Sequence, residues 1–94
     1  MKKNYNYVFL FYDVNEKRVA KVFKICKKYL THHQKSVFRG EITPSKLMSL
    51  QAELEKIINK NEDFVTFINL LSDYYFDEVT LGKNPKEPNG ELFL

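Results

Sequence analysis

The chain has 94 residues, enough for one domain with a modest hydrophobic core. Its hydrophobic content of 44% and aromatic content of 15% exclude a disordered protein. The charge is uneven, because residues 1–40 carry ten Lys and Arg against two acids, whereas residues 41–94 carry five Lys against ten acids. The basic half is a candidate surface for an anionic partner such as nucleic acid, although an ordinary solvated surface would show the same pattern.

A single cysteine, Cys26, excludes a disulfide framework and a cluster of thiolate metal ligands. The predicted helix face on which it lies is apolar, so we expect a buried and unreactive thiol. Residues 1–6 are polar, and the apolar run that follows them is too short for a secretory signal or a membrane span. These features favour a cytoplasmic protein that does not enter the membrane.

Residues 5–13 predict the first strand, in which six apolar or aromatic residues precede Asp13. Such a run indicates a central strand that is covered on both faces. Asp13 would then lie at the C-terminal edge of an inner strand, beside a helix start, where α/β sheets tend to bind ligands. Two roles stay open: Asp13 could hold Mg²⁺, which needs only one or two protein carboxylates, or it could cap the helix. Tyr12 points to the opposite face and could stack on a base or fill the core.

Residues 16–30 predict the first helix. Its apolar face is formed by Val19, Val22, Phe23, Cys26 and Leu30. A second stripe on this helix is cationic and consists of Lys17, Lys21, Lys24 and Lys28. Few acids nearby in the sequence can pair with this stripe, which therefore suits a phosphate backbone. Arg18 lies in the first turn, where the helix dipole disfavours a cation, and this hints at a carboxylate or phosphate partner.

Residues 31–42 are predicted to be extended, with Val37 and Phe38 at the apolar centre. Gly40 permits a kink or bulge, so the pattern is compatible with one bent strand or with a tight pair of strands. Ser36 and Arg39 flank the apolar centre. Ordinary strand packing explains Val37 and Phe38 well, but it says less about Arg39.

His32 and His33 are adjacent in this extended segment. Neighbouring side chains on an extended chain point in opposite directions, so the two imidazoles cannot readily bind one metal ion together. We interpret both as surface or nucleic-acid contacts.

The second helix is predicted to begin with Thr43 as N-cap and Pro44 at the first helical position, and to end within residues 59–63. Residues 64–71 predict another strand, residues 72–73 a turn, and residues 78–82 a short last strand. Residues 83–94 form a tail whose apolar end could add a strand to the sheet edge of a partner chain. The core-facing residues expected in the second helix are Leu47, Leu50, Leu54, Ile57 and Ile58.

The order of these elements predicts an α+β, ferredoxin-like (βαββαβ) domain over residues 1–82, with both helices on one sheet face and an extra C-terminal strand. The other sheet face then needs a cover, and a face-to-face homodimer is the simplest one. A twofold axis near the end of the first strand would bring two copies of Asp13 toward one groove.

Three segments together resemble the Cas2 family of CRISPR-associated proteins. They are Tyr12-Asp13-Val14, Glu16-Lys17-Arg18-Val19 and the run from Gln34 to Ile42, and the match is nearly colinear over residues 7–82. The resemblance implies a ferredoxin-like homodimer whose C-terminal strands are swapped. It also implies Mg²⁺-dependent cleavage of single-stranded RNA or double-stranded DNA, and a role in spacer acquisition with the Cas1 integrase.

The resemblance further implies that Asp13 is the catalytic, metal-binding aspartate. Tyr12, Arg18, Ser36 and Phe38 match family positions near that site. Two alternatives to the nuclease are a non-catalytic dimeric scaffold that holds duplex DNA through the lysine stripe and bridges integrase subunits, and a toxin-like ribonuclease of the same fold.

Overall fold

The computed structural model describes residues 6–70 and 76–83 as five strands and two helices. In chain order these are β1 (Asn6–Asp13), α1 (Glu16–Tyr29), β2 (Thr31–Gln34), β3 (Val37–Ile42), α2 (Pro44–Ile57), β4 (Phe64–Leu70) and β5 (Phe76–Gly82). The strands form one sheet in the order β2-β3-β1-β4-β5, with every neighbouring pair antiparallel. The predicted α+β class is confirmed.

Strand β1 is the central strand of the sheet, as the apolar run predicts. It lies between β3 and β4, so that Leu10 stands opposite Phe38 on one side and Phe67 on the other. All three side chains are fully buried. They lie on the sheet face that packs against both helices, where α1 contributes Val22 and α2 contributes Leu50 to the same cluster.

The second sheet face, called here the open face, carries the alternate residues of each strand. Tyr7, Phe9 and Phe11 of β1 lie on this face and are only half-buried. Their neighbours across the strands include Val37 of β3 and Ile68 of β4, which are half-buried too. In the described part of a single chain both helices pack on the other face, so the cover expected over this face of β1 does not come from these helices and stays a prediction.

Two polar residues begin the helices. Thr43 accepts a hydrogen bond from the Lys46 amide and Pro44 occupies the first turn, so the predicted start of α2 is confirmed. Helix α1 is capped by Asn15, whose side-chain oxygen accepts a hydrogen bond from the Lys17 amide over 2.9 Å. The alternative in which Asp13 caps α1 is thereby wrong, because the cap lies two residues further along the chain.

The extended segment is a tight pair of strands, which decides between the two possibilities left by the sequence. Residues 35–36 form the turn between β2 and β3, and Lys35 has a positive φ of 46°. The pairing of the two strands is irregular between His32 and Gln34 rather than at Gly40. The turn lies at the end of β1, because the pairing of Phe11 with Val37 continues to the Tyr12 amide, which donates to the Ser36 carbonyl over 3.2 Å.

Element ends shift little from the predicted ones. Helix α1 ends at Tyr29 and β5 begins at Phe76, two residues before the predicted start. Residue 5, the predicted turn at residues 72–73 and residues 84–94 of the tail lie outside the described residues. Within the described ranges, neither helix is long and apolar enough to cross a membrane.

Candidate nucleic-acid site: the Asp13 cleft and the α1 lysine stripe

Asp13 is the last residue of β1, and its side chain is exposed at the edge of the open face. Asp13 pairs across the strands with Phe64, the first residue of β4. The Asp13 carboxylate makes no hydrogen bond and no salt bridge to any described residue. It is therefore a charged oxygen pair that is free to bind a cation or a ligand.

A surface cleft of about 230 Å³ surrounds this carboxylate and is called here the Asp13 cleft. Two elements form it, the end of β1 and the turn between β2 and β3, with one wall from α1. The lining residues are Tyr12, Asp13, Val14, Val19, Lys35 and Ser36. The structure thus brings together three of the residues chosen from the sequence, Tyr12, Asp13 and Ser36, and adds Lys35.

The oxygen ligands of the Asp13 cleft fit Mg²⁺ in kind, since this ion prefers carboxylates, water and phosphate oxygens. Asp13 offers a carboxylate and Ser36 a hydroxyl at the same cleft. In the described residues, no group of three or more His, Cys, Asp or Glu side chains could hold a metal ion. A Mg²⁺ ion at this cleft would therefore need phosphate oxygens, water or a second copy of the chain to complete its coordination.

Tyr12 and Phe38 belong to the core rather than to an exposed stacking surface. Tyr12 is 7% exposed and Phe38 is fully buried, with their ring centroids 6.3 Å apart in a stacked arrangement. Burial, and to a lesser degree the nearby Cys26, raises the pKa of the Tyr12 hydroxyl. Tyr12 can meet a ligand only at the rim of the Asp13 cleft, and the placement of Phe38 among site-lining residues is wrong because its ring has no free surface.

His32 supports the turn between β2 and β3. Its ring packs against Phe23 and Phe38 at centroid distances of 4.9 and 5.0 Å. Its Nε2 atom lies 2.8 Å from the carbonyl oxygen of Lys35. His32 and His33 are nevertheless exposed, as predicted for both. Arg39 is also exposed, and it lies on the open face opposite Phe9.

Arg18 has the carboxylate partner that its place in the first helical turn indicates. Its Nε donates to Asp63 Oδ2 over 2.6 Å, and one terminal nitrogen donates to Glu62 over 3.1 Å. The hydrogen bond to Asp63 raises the pKa of the guanidinium further. Because both acids come from the loop before β4, Arg18 joins two segments of the fold.

Asp63 was not recognised as important from the sequence, where it ends an ordinary polar run. Its side chain is fully buried and accepts hydrogen bonds from the Asn15 and Asn59 amides, both over 2.8 Å. Burial alone would raise the pKa of this carboxyl, but the bonds from Arg18 and from these amides outweigh burial and hold the pKa below its ordinary value. The only available signal was its position directly before the strand that pairs with the end of β1.

The α1 lysine stripe is more divided than the sequence indicates. Lys17, Lys21 and Lys24 are exposed, and no salt bridge to a described residue involves them. Lys28 instead pairs over 2.7 Å with Glu53 of α2, an acid distant in sequence, so the stripe has fewer free cations than its few local acids indicate. The Tyr29 hydroxyl donates to the same carboxylate at 2.5 Å, and the two bonds hold the pKa of Glu53 below its ordinary value.

A second cleft of about 400 Å³ lies between α1 and α2 beside the stripe. Its rim carries Lys21, Lys24 and Lys28, and its floor is formed by Ile25 and Ile57. Cys26 is fully buried below this surface, which confirms its predicted burial, and burial raises the pKa of its thiol to about 12.

The chain is similar to several known proteins. The family model described as "CRISPR associated protein Cas2" matches residues 6–78. A "CRISPR-associated endoribonuclease Cas2" of Thermotoga maritima is 47% identical over 93% of this chain and 99% of that protein. A "CRISPR-associated endoribonuclease Cas2 3" of Thermodesulfovibrio yellowstonii is 46% identical over 92% of this chain and 97% of its own length. A solved structure described as "Crystal structure of cas2" superposes with a TM-score of 0.69 at 34% identity, covering 86% of this chain and 91% of that one.

Proposed function

The chain belongs to the Cas2 family of CRISPR-associated proteins, and from that premise we propose that it is a Mg²⁺-dependent phosphodiester endonuclease. The observation that carries this proposal is the exposed Asp13 carboxylate, which no described residue pairs with, at a cleft formed by two converging segments. The names of the two relatives make single-stranded RNA the first substrate to test. Double-stranded DNA is the second.

In the proposed site, Asp13 and the Ser36 hydroxyl would hold the divalent cation together with water and phosphate oxygens. A bound Mg²⁺ would supply charge neutralisation at the phosphate and a lower pKa for an attacking water. Ser36 lies in the turn that the Tyr12 amide ties to β1, which keeps the Ser36 backbone beside the end of this strand. Val14 and Val19 form an apolar wall that restricts water on one side.

The active form is proposed to be a homodimer that closes the open face of the sheet. Tyr7, Phe9, Val37 and Ile68 form an apolar surface there that remains half-buried in one chain. Contiguous apolar surface of this kind is unfavourable in water and is typical of an interface. Because Asp13 lies at the edge of this face, two copies packed face to face would each bring one carboxylate to a shared groove.

The replacement Asp13→Asn tests the nuclease directly, since it keeps the size of the side chain and removes its charge. We expect cleavage of single-stranded RNA in Mg²⁺ to fall by at least about a hundredfold, while the melting temperature stays near that of the original protein. A matched replacement, Glu55→Gln, likewise removes the charge of an exposed carboxylate, on α2, and should leave cleavage unchanged. Cleavage by Asp13→Asn at the original rate would exclude Asp13 as the metal ligand.

A second function is favoured by the exposed cations on α1. Lys17, Lys21 and Lys24 are spaced along one helix edge and can contact successive phosphates. On this reading the dimer also acts as a scaffold that holds duplex DNA and associates with the Cas1 integrase during spacer acquisition. A toxin-like ribonuclease of the same fold would cleave RNA but would not bind an integrase.

Spacer acquisition measured in cells with Asp13→Asn separates these roles. If cleavage is lost and spacer acquisition is normal, the scaffold is sufficient for spacer acquisition. If both are lost, spacer acquisition requires cleavage. Co-purification of the dimer with the Cas1 integrase supports the scaffold, and its absence together with RNA cleavage supports the toxin-like alternative. Removing the charges of Lys17, Lys21 and Lys24 together should weaken duplex binding and its salt dependence.

A further inference from the structure

The turn between β2 and β3 places a lysine where turn geometry alone would favour another residue. Lys35 has a φ of 46°, in the left-handed region that Gly and Asn adopt at lower cost. Residues held in such conformations cluster at functional sites, where the surrounding structure holds them in place. The observation directs attention to what the Lys35 side chain does.

The surrounding structure holds this turn on two sides. The Lys35 carbonyl lies 2.8 Å from His32 Nε2, and the His32 ring is packed against Phe23 and Phe38. On the other side of the turn, the Ser36 carbonyl accepts from the Tyr12 amide. Lys35 is thus anchored to the core and to β1 through its neighbours, so the start of its side chain has a defined position.

This position is the rim of the Asp13 cleft, which Lys35 lines together with Asp13 and Ser36. No carboxylate of the described residues lies within salt-bridge distance of the Lys35 ammonium. The exposed Lys35 ammonium is therefore available to pair with an anionic group of a ligand that binds in the cleft. A phosphodiester brings such a charge.

We propose that Lys35 is a substrate-binding residue that pairs with a phosphate of the nucleic acid bound at the Asp13 cleft. This inference rests on the proposed nuclease function and adds to it the cation that meets the phosphate, which the sequence did not identify. The strained turn then has a reason, because Gly or Asn at position 35 would relax the backbone but leave the cleft without its positive charge.

Two replacements of Lys35 distinguish the effect of its charge from the effect of its backbone conformation. Lys35→Asn suits the left-handed conformation and removes the charge, whereas Lys35→Arg keeps the charge. The matched control is Lys46→Asn, which removes an exposed lysine from the first turn of α2. That turn follows β3 at the end of the sheet opposite Asp13, because Ile42 pairs with Asn6.

Two readouts are measured for each protein with a short fluorescent single-stranded RNA: its affinity in EDTA as a function of salt, and its cleavage in Mg²⁺. For Lys35→Asn we expect the salt slope to fall by about 0.7, the value for one phosphate contact on a single strand. We also expect kcat/KM to fall about tenfold or more. Lys35→Arg should retain both properties, and Lys46→Asn should change neither.

The proposal is overturned if Lys35→Asn and Lys46→Asn behave alike in both readouts, or if Lys35→Arg loses as much as Lys35→Asn. A thermal melt of Lys35→Asn at or above that of the original protein shows that the turn is intact, and Lys35→Gly provides a second variant of the same kind. If the proposed nuclease function is wrong, the original protein does not cleave RNA. The salt slope of RNA binding is measured without cleavage, so it still tests the Lys35 contact in that case.

Discussion

The Arg18 guanidinium donates to Asp63 over 2.6 and 3.2 Å, and the Asp63 side chain has no exposed surface. The same carboxylate accepts from the amides of Asn15, before α1, and Asn59, after α2. The carbonyl of Asp63 in turn accepts from the Lys83 amide over 2.8 Å. Asp63 therefore joins the β1–α1 loop, the α2–β4 loop and the end of β5. Its contact in the β1–α1 loop, Asn15, is two residues after Asp13.

Asp63→Asn should destabilise the fold far more than a surface replacement, because an amide nitrogen would face donors that now meet a carboxylate oxygen. Breaking a buried, hydrogen-bonded charge network of this kind costs about 3 kcal/mol. Urea unfolding monitored by circular dichroism measures the loss. Glu62→Gln is the control, since Glu62 also pairs with Arg18 but is exposed, and its replacement should cost much less.

The two replacements also distinguish an internal role for Arg18 from a contact with substrate. If Arg18 acts through Asp63, then Arg18→Gln should destabilise the protein, and it should cost much less in a chain that already carries Asp63→Asn. Additive losses in this double-mutant cycle would contradict the pairing. A fall in the salt slope for RNA binding with Arg18→Gln would instead indicate a phosphate contact.

The pH dependence of stability follows from the sign of the Asp63 shift. The pKa of this carboxyl is held below its ordinary value in the folded state. The stabilisation is therefore fully present above the unfolded value of about 3.9 and is lost as the pH falls through the folded pKa. Urea unfolding of the original protein and Asp63→Asn at a series of pH values should show a difference that is constant at neutral pH and shrinks below about pH 4. A difference that stays constant to the lowest pH would refute this assignment.

The sequence predicted the parts of the molecule that depend on local patterns. The apolar run before Asp13 indicated the central strand, and the Thr43-Pro44 pair indicated the start of α2, because burial and capping leave marks over a few adjacent residues. Asp63 and Lys35 left no such mark. Their roles depend on segments that are distant in sequence, as when Arg18 meets Asp63 or the β2–β3 turn meets the end of β1.

The partial coverage of β1 and the pairing of Lys28 have the same explanation. Periodicity indicates which residues avoid water but not what covers them, so the cover of the open face was assigned to a second copy only because both helices were placed on the other face. Glu53 is far from Lys28 in sequence, and only the packing of α2 beside α1 brings the two charges to 2.7 Å. Local spacing therefore overestimated the number of free cations.

Gly82 is expected to tolerate no larger residue. Its φ is +92°, and a Cβ at this position would overlap the backbone carbonyl oxygen of Asp63. The backbone strain of a side chain at this φ costs about 1 kcal/mol by itself. Gly82→Ala should lower stability by more than that, because β5 must also move away from the loop before β4. The control is Gly40→Ala, which has a positive φ of +152° but meets its nearest heavy atom at 3.6 Å. Equal losses for the two variants, measured by thermal unfolding, would contradict the steric explanation.

The proposed closure of the open face predicts that one charge there separates the dimer without unfolding the chain. Phe9 is half-buried on this face, between Arg39 of β3 and Ile68 of β4, with its ring centroid 5.6 Å from that of Tyr7. Phe9→Asp would place a carboxylate against its own symmetry mate or against apolar side chains of the second copy, which a face-to-face interface cannot accommodate. Light scattering after size-exclusion chromatography should give the mass of a dimer for the original protein and of a monomer for the variant.

Met48→Asp serves as the matched control, because Met48 is 69% exposed on α2, on the other side of the sheet, and the same introduced charge should leave the dimer intact. Circular dichroism of Phe9→Asp should retain the helix and strand signal, since the core lies on the helix-covered face. If both variants stay dimeric, the second copy does not cover the open face. If Phe9→Asp is monomeric yet cleaves RNA at the original rate, one Asp13 is enough, and the shared groove of two carboxylates is not needed for cleavage.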